Sequence, residues 1–92
     1  MSVTVRIPTM LRNLTDGQET VQAQGATVAA VIADIQARYP GLKARLCDDK
    51  GVLRRFVNLF LNSEDIRFQN GPETPCKDGD ELSIVPAVAG GM

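Results

Sequence analysis

Val3, Val5 and Ile7 alternate with Ser2, Thr4 and Arg6, and this period of two predicts a half-buried strand. Pro8 closes it, having no N–H to give to a ladder. A polar stretch follows over 12–17, ending in Asp16-Gly17, a hairpin-type turn. Glu19-Thr-Val-Gln-Ala23 then reads as a second, short strand, antiparallel to the first because sequential strands usually neighbour each other. From Thr27 the period changes. Val28, Val31, Ile32 and Ile35 fall at i, i+3, i+4 and i+7, one face of a helix of about three turns, with Asp34, Gln36 and Arg38 off that stripe. Thr27 is the expected N-cap, its hydroxyl taking up a free backbone N–H. Pro40-Gly41 ends the helix, since the residue before proline is held out of helical geometry.

Beyond Pro40 the pattern is weaker. Leu42-Lys-Ala-Arg-Leu46 fits a short helical turn that tucks both leucines under the core, and Asp48-Asp-Lys-Gly51 reads as a loop. Arg55-Phe-Val-Asn-Leu-Phe-Leu-Asn62 is the clearest strand, with Val57, Leu59 and Leu61 on one face and Phe56, Asn58, Phe60 and Asn62 on the other. Its apolar richness predicts a central position in the sheet. A turn at 63–65, a brief edge strand at Ile66-Arg-Phe68, a tight turn at Lys77-Asp-Gly-Asp80 and a last strand over 81–85 complete the pattern. Leu82 and Ile84 point inward on that last strand, and Pro86 closes it. The order is β-β-α-β-(β)-β. One helix covers one face of a mixed four- to five-stranded sheet, which is α+β. The connectivity suits a β-grasp: two N-terminal strands, a crossover helix, then strands returning beside the first, with one sheet face free of helix. Residues 1–86 form that domain and 87–92 a tail.

Composition narrows the chemistry. The chain has 92 residues with ten Lys+Arg against eleven Asp+Glu, a formal net charge of −1. That is one domain's worth of chain, without the basic field of a non-specific nucleic-acid binder. No stretch approaches the ~20 apolar residues of a membrane span. The N-terminus has no basic region leading into an apolar one, so the expected address is cytoplasmic. There is no histidine, which excludes histidine-based triads and proton shuttles and removes the usual zinc ligand. Cys47 and Cys76 form no CxxC unit, and reduced thiols are expected of them in a cytosolic setting. Acidic residues at Glu64, Asp65, Asp78 and Asp80 are explained by turn chemistry rather than by a cation. No metal site is expected.

The remaining feature is the end of the chain, Ala87-Val-Ala-Gly-Gly-Met92. Fraying is the ordinary behaviour of such a terminus. Glycine's geometry offers a second reading. Two glycines without Cβ atoms thread a narrow cleft and leave the carbonyl carbon open on nearly all sides. A glycyl carboxylate there is a handle for another enzyme, which can activate it with ATP as an acyl-adenylate.

The sequence resembles the ubiquitin-like sulfur carriers of the ThiS/MoaD/CysO group, and most of the chain contributes. The carriers of cysteine biosynthesis share the look of Val3-Thr-Val-Arg-Ile-Pro-Thr-Met-Leu-Arg12, of Arg55-Phe-Val-Asn58 with Asn62-Ser-Glu-Asp65-Ile-Arg-Phe68, and of Lys77-Asp-Gly-Asp80 followed by Ile84-Val-Pro-Ala-Val-Ala-Gly-Gly91. The resemblance implies a protein co-substrate rather than an enzyme. An adenylating enzyme of the ubiquitin-activating type binds the domain with ATP and Mg²⁺, adenylates Gly91 behind Gly90, and a sulfur donor converts the acyl group to a thiocarboxylate. For cysteine, a PLP-dependent sulfhydrylase makes the aminoacrylate that receives the sulfur, and a zinc metalloprotease releases the amino acid. PLP and zinc belong to those partners, and no cofactor is expected on this chain. Met92 departs from the family ending, and the resemblance implies that the protease first removes it.

With Val57, Leu59 and Leu61 packed on the helix stripe, Phe60 faces the uncovered side, which gives it a candidate role in an apolar docking patch for the adenylating enzyme, with Arg6, Val85 and Val88 nearby. Arg12 is similar in position to a family arginine before the first loop. Their ordinary readings are a ring half-covered by neighbouring strands and a solvated charge. Other acceptors of sulfur (molybdopterin, thiazole, homocysteine or a secondary metabolite) fit the same tail. So does a rival of another class, a binding module of β-grasp form whose tail is inert.

Overall fold

The computed structural model describes residues 2–50, 54 and 57–86. Five strands form one mixed sheet: β1 (Ser2–Arg6), β2 (Thr20–Gln24), β3 (Val57–Leu61), β4 (Glu64–Asp65) and β5 (Glu81–Pro86), in the order β2-β1-β5-β3-β4. β1 runs antiparallel to β2 and parallel to β5, while β3 is antiparallel to both β5 and β4. Two helices, α1 (Val28–Arg38) and α2 (Pro40–Leu46), intervene between β2 and β3. This is the expected α+β architecture, and among the described residues one sheet face carries no helix. Among the described residues no helix is long and apolar enough to cross a membrane.

The predicted periodicities set the core. Val3 and Val5 of β1, Val21 and Ala23 of β2, Val57, Leu59 and Leu61 of β3, and Leu82 and Ile84 of β5 are all buried on one sheet face. Val28, Val31, Ile32 and Ile35 of α1 are buried against them. Thr27 caps α1 as expected, its Oγ1 accepting the N–H of Ala30 at 3.2 Å. Asp16 and Gly17 both take positive φ, 56° and 80°, so the expected turn is present. Cys47 and Cys76 are buried free thiols of this core.

Four expectations change. Residues 40–46 form a full second helix rather than a single turn. Pro40 both stops α1 and occupies the first turn of α2, where its missing N–H has no intrahelical partner to lose. Leu42 and Leu46 are both 0% exposed, so α2 is held by tertiary packing, not by propensity. The polar stretch after β1 contains a 3₁₀ segment, Thr9–Leu14, that buries Leu11. The edge strand is Glu64–Asp65, two residues earlier than expected. Asn62 and Ser63 take positive φ of 52° and 75°, a two-residue hairpin turn that restarts the strand at once. The Asp65 carboxylate then accepts the N–H of Arg67, and Ile66–Phe68 becomes a 3₁₀ turn. Finally, β5 rather than β3 is the middle strand. Apolar richness reported β3's covered face and the placement of Phe60, not its rank in the sheet.

The packing of α2 is measurable. Leu42→Ala should cost about 2–5 kcal/mol of unfolding free energy, the range for emptying a fully buried leucine site. Denaturant titration reads it directly, and a loss within experimental error would mean α2 is peripheral.

Candidate functional site

The helix-free face carries the second set of each strand's alternating side chains. One row crosses the whole sheet. Arg6 pairs with Thr20 on one side and Ser83 on the other, Ser83 pairs with Phe60, and Phe60 with Asp65. Phe60 is half-buried there, its neighbours Ser83 and Asp65 being too small to cover it. One pair further along β5, Val85 stands opposite Asn58 and is 44% exposed. Arg6 reaches one row the other way, donating through Nη1 to Glu81 Oε2 at 3.3 Å, an exposed pair of small energetic weight.

A shallow groove lies at the end of β5, lined by Arg6, Ile7, Pro8, Thr9, Met10, Arg12, Ser83, Ile84 and Val85. Arg12 is half-buried on its far side, where its Nε donates to the Ile7 C=O at 3.1 Å. That bond clamps the turn after β1, and the Arg12 C=O in turn accepts the N–H groups of Thr15 and Gly17. Arg12 is thus a structural clasp as well as a lining residue. The structure gathers Arg6, Arg12 and Val85 around this groove, while Phe60 lies across β5 from Arg6 on the same face. Val88, Gly90, Gly91 and Met92, like Arg55 and Phe56, lie outside the described residues. β5 ends at Pro86 beside the groove, and the glycine-bearing segment follows from there.

Sequence reasoning missed Met10, 52% exposed on the groove wall. Its signal was a lone large apolar residue in a polar connection. It also missed Phe68, 87% exposed beyond β4. Assigned to a strand, Phe68 had no reason to project; in the 3₁₀ turn only Ile66 goes inward.

The acidic residues of the opposite end are absorbed by turns. Asp78 Oδ1 accepts the Ser2 N–H at 2.8 Å. Asp80 accepts from Asn62 Nδ2 at 3.0 Å and from the Lys77 N–H at 2.7 Å. These bonds, that from Asn62 foremost, hold the Asp80 carboxyl below the usual carboxylate range. Asp65 is likewise held low by Arg67. Burial, with a smaller push from the Asp80 charge, raises the Cys76 thiol above the usual thiol range. Among the described residues no group of three His, Cys, Asp or Glu side chains converges on a metal-binding position.

A sheet of this order, with helices on one face and its last strand running out beside an open groove, belongs to the ubiquitin-like β-grasp class. The ThiS family matches residues 5–91, and the chain belongs to it. The chain is 53% identical over 93 residues to the sulfur carrier protein CysO of Mycobacterium tuberculosis, covering 99% of this chain and all of that one. A putative sulfur carrier protein of Archaeoglobus fulgidus is 33% identical over 91 residues, covering 99% of this chain and all of that one. Among solved structures, a chain of the Amycolatopsis orientalis BexX/CysO complex superposes with a TM-score of 0.87 at 51% identity, over 94% of this chain and 96% of that one.

The Asp80 bonds give a pH dependence of known sign. A carboxyl whose folded-state pKa lies below its unfolded value near about 4 stabilises the fold fully above that value and progressively less as pH falls through the folded one. Asp80→Ala should therefore lower Tm by a few degrees between pH 6 and 8, with the gap to wild type closing below about pH 4. Thermal melts of both proteins across this range check it.

Proposed function

We propose that this protein is a sulfur carrier whose Gly91 carboxylate, freed of Met92, is activated and thiolated by a separate enzyme. The observation that carries the reading is full-length similarity to sulfur carriers in a chain that runs from the end of β5 into Ala87-Val-Ala-Gly-Gly91. A metalloprotease hydrolyses the Gly91–Met92 amide. The adenylating partner, using ATP and Mg²⁺, joins the exposed carboxylate to AMP and releases pyrophosphate. A sulfur donor then displaces AMP, leaving –C(O)S⁻ on Gly91.

Cysteine is the favoured product. The thiocarboxylate sulfur adds to an aminoacrylate held on a PLP-dependent sulfhydrylase. An S-to-N acyl shift leaves cysteine amide-linked to Gly91, and zinc-dependent hydrolysis releases it. The similarity to CysO supports this acceptor. This chain's own part is to be recognised and to stay out of the chemistry. Its histidine-free composition withholds the commonest general base from the surroundings of the activated carboxylate.

The open face is the proposed recognition surface. Phe60 supplies an apolar centre, and Arg6, Arg12 and Val85 border the groove at the end of β5, with Val88 the first large residue after Pro86 in the sequence. Interfaces of this kind pair an apolar centre with a polar rim. A CysO captured with the protein BexX supports the reading that such carriers dock as folded bodies.

Incubating the form ending at Gly91 with ATP, Mg²⁺, sulfide and an adenylating enzyme from the source organism tests the reading. Intact mass should rise by the difference between sulfur and oxygen, and chains lacking Gly90 and Gly91 should not change. Native protein that always retains Met92, or Gly91-ended chains that stay unmodified, would overturn it. Phe60→Asp should slow that conversion at least about tenfold, the effect of losing one interface hot spot, while shifting Tm little. A large stability loss instead would assign Phe60 to the core.

A further inference from the structure

β2 ends the sheet on one side, and parity decides what its outer rim presents. The Thr4 N–H donates to the Asp80 C=O, so even-numbered backbone groups of β1 face β5. Odd-numbered groups face β2, as the bond from the Ile7 N–H to the Glu19 C=O shows. In the observed register Val3 lies opposite Ala23 and Val5 opposite Val21. The backbone groups of Thr20, Gln22 and Gln24 therefore point away from the sheet. Such a row is a template for another strand.

Side chains of α1 occupy part of that row. Asp34 Oδ2 accepts the Gln24 N–H at 2.9 Å. Arg38 donates through Nη2 to the Gln22 C=O and, at 3.1 Å, to the same Asp34 oxygen. A parallel neighbouring strand would set one residue opposite Ala23, its N–H on Gln22 and its C=O on Gln24. The Asp34–Arg38 pair supplies those two bonds from a helix already packed against β2. An antiparallel neighbour needs the same two groups. The Arg38 guanidinium also sits 5.9 Å from the Tyr39 ring centroid, a further restraint on its position.

The row is self-complementary. A second copy turned about an axis through Gln22 sets Gln22 opposite Gln22 and Thr20 opposite Gln24, all with outward backbone groups. Val21 then meets Ala23 on the apolar side. β2 carries no charged side chain, so no like charges oppose each other. We propose that the Asp34–Arg38 pair closes a self-pairing edge, and that without it β2 adds antiparallel to β2 of a second copy of this chain.

The experiment measures association of the full chain by sedimentation equilibrium across micromolar to millimolar concentration. The double variant Asp34→Ala/Arg38→Ala should self-associate at least about tenfold more tightly than wild type. Adding Gln24→Pro should abolish the gain, because that N–H points outward and its loss breaks no internal ladder bond. Association unchanged from wild type, or a dimer indifferent to Gln24→Pro, overturns the proposal. Should the double variant lose the wild-type circular dichroism, Asp34→Ala/Arg38→Met carries the test with the same two outcomes, since it also removes both rim bonds and keeps a helix-favouring side chain without a donor at position 38.

Discussion

Parallel hydrogen bonding between β1 and β5 sets Val5 beside Leu82 and Arg6 beside Ser83 in the middle of the sheet. The first and last strands of the chain are thereby neighbours, and everything between them must make a crossover. Closing so long a loop is entropically costly. Burial offsets it, since Val3, Val5, Leu82 and Ile84 are all inaccessible to solvent or nearly so. The Lys77–Asp80 turn secures the entry to β5: the Gly79 N–H donates to the Ser2 C=O, and the Thr4 N–H to Asp80. With β5 held there, its exit at Pro86 falls beside the groove bordered by Arg6 and Arg12. The position of the tail's root follows from this one pairing.

Two faces of one sheet then take separate tasks. The covered face spends its apolar residues on α1 and α2. The open face carries Thr4, Arg6, Asn58, Phe60, Ser83 and Val85, a mixture that hydrates well yet leaves apolar ground around Phe60 and Val85. A carrier of activated sulfur must be gripped and released in turn, so the partly apolar, partly charged character of this face suits its proposed use. The carboxylates of Asp78 and Asp80 are tied into the turn that enters β5.

Much of this was legible in the sequence because it is local. Alternation at Val3, Val5 and Ile7, the helical stripe from Val28 to Ile35, the Thr27 cap and the Asp16-Gly17 turn each depend on neighbours within a few positions. The family resemblance rested on the same kind of signal, the Asp-Gly-Asp turn and the strand ending in Pro86 before Gly90-Gly91. The misread elements are those whose state depends on distant partners. Leu42 and Leu46 carry too short a pattern to declare a helix, and only the core that receives them stabilises α2. Ile66-Arg-Phe68 has strand-like composition, yet the Asp65 cap and the Asn62-Ser63 turn shift the edge strand ahead of it.

By itself, then, the sequence determined the periods, the Thr27 cap and the covered and open faces of β1, β3 and β5, because backbone geometry repeats over short distances. Strand order was decided only by tertiary structure. So were the central place of β5, the meeting of Arg6, Arg12, Met10 and Val85 around one groove, and the engagement of Asp34 and Arg38 with the rim of β2. Each of these joins residues far apart in the chain, and such meetings are selected by the burial and hydrogen bonding of the whole fold rather than by any local pattern.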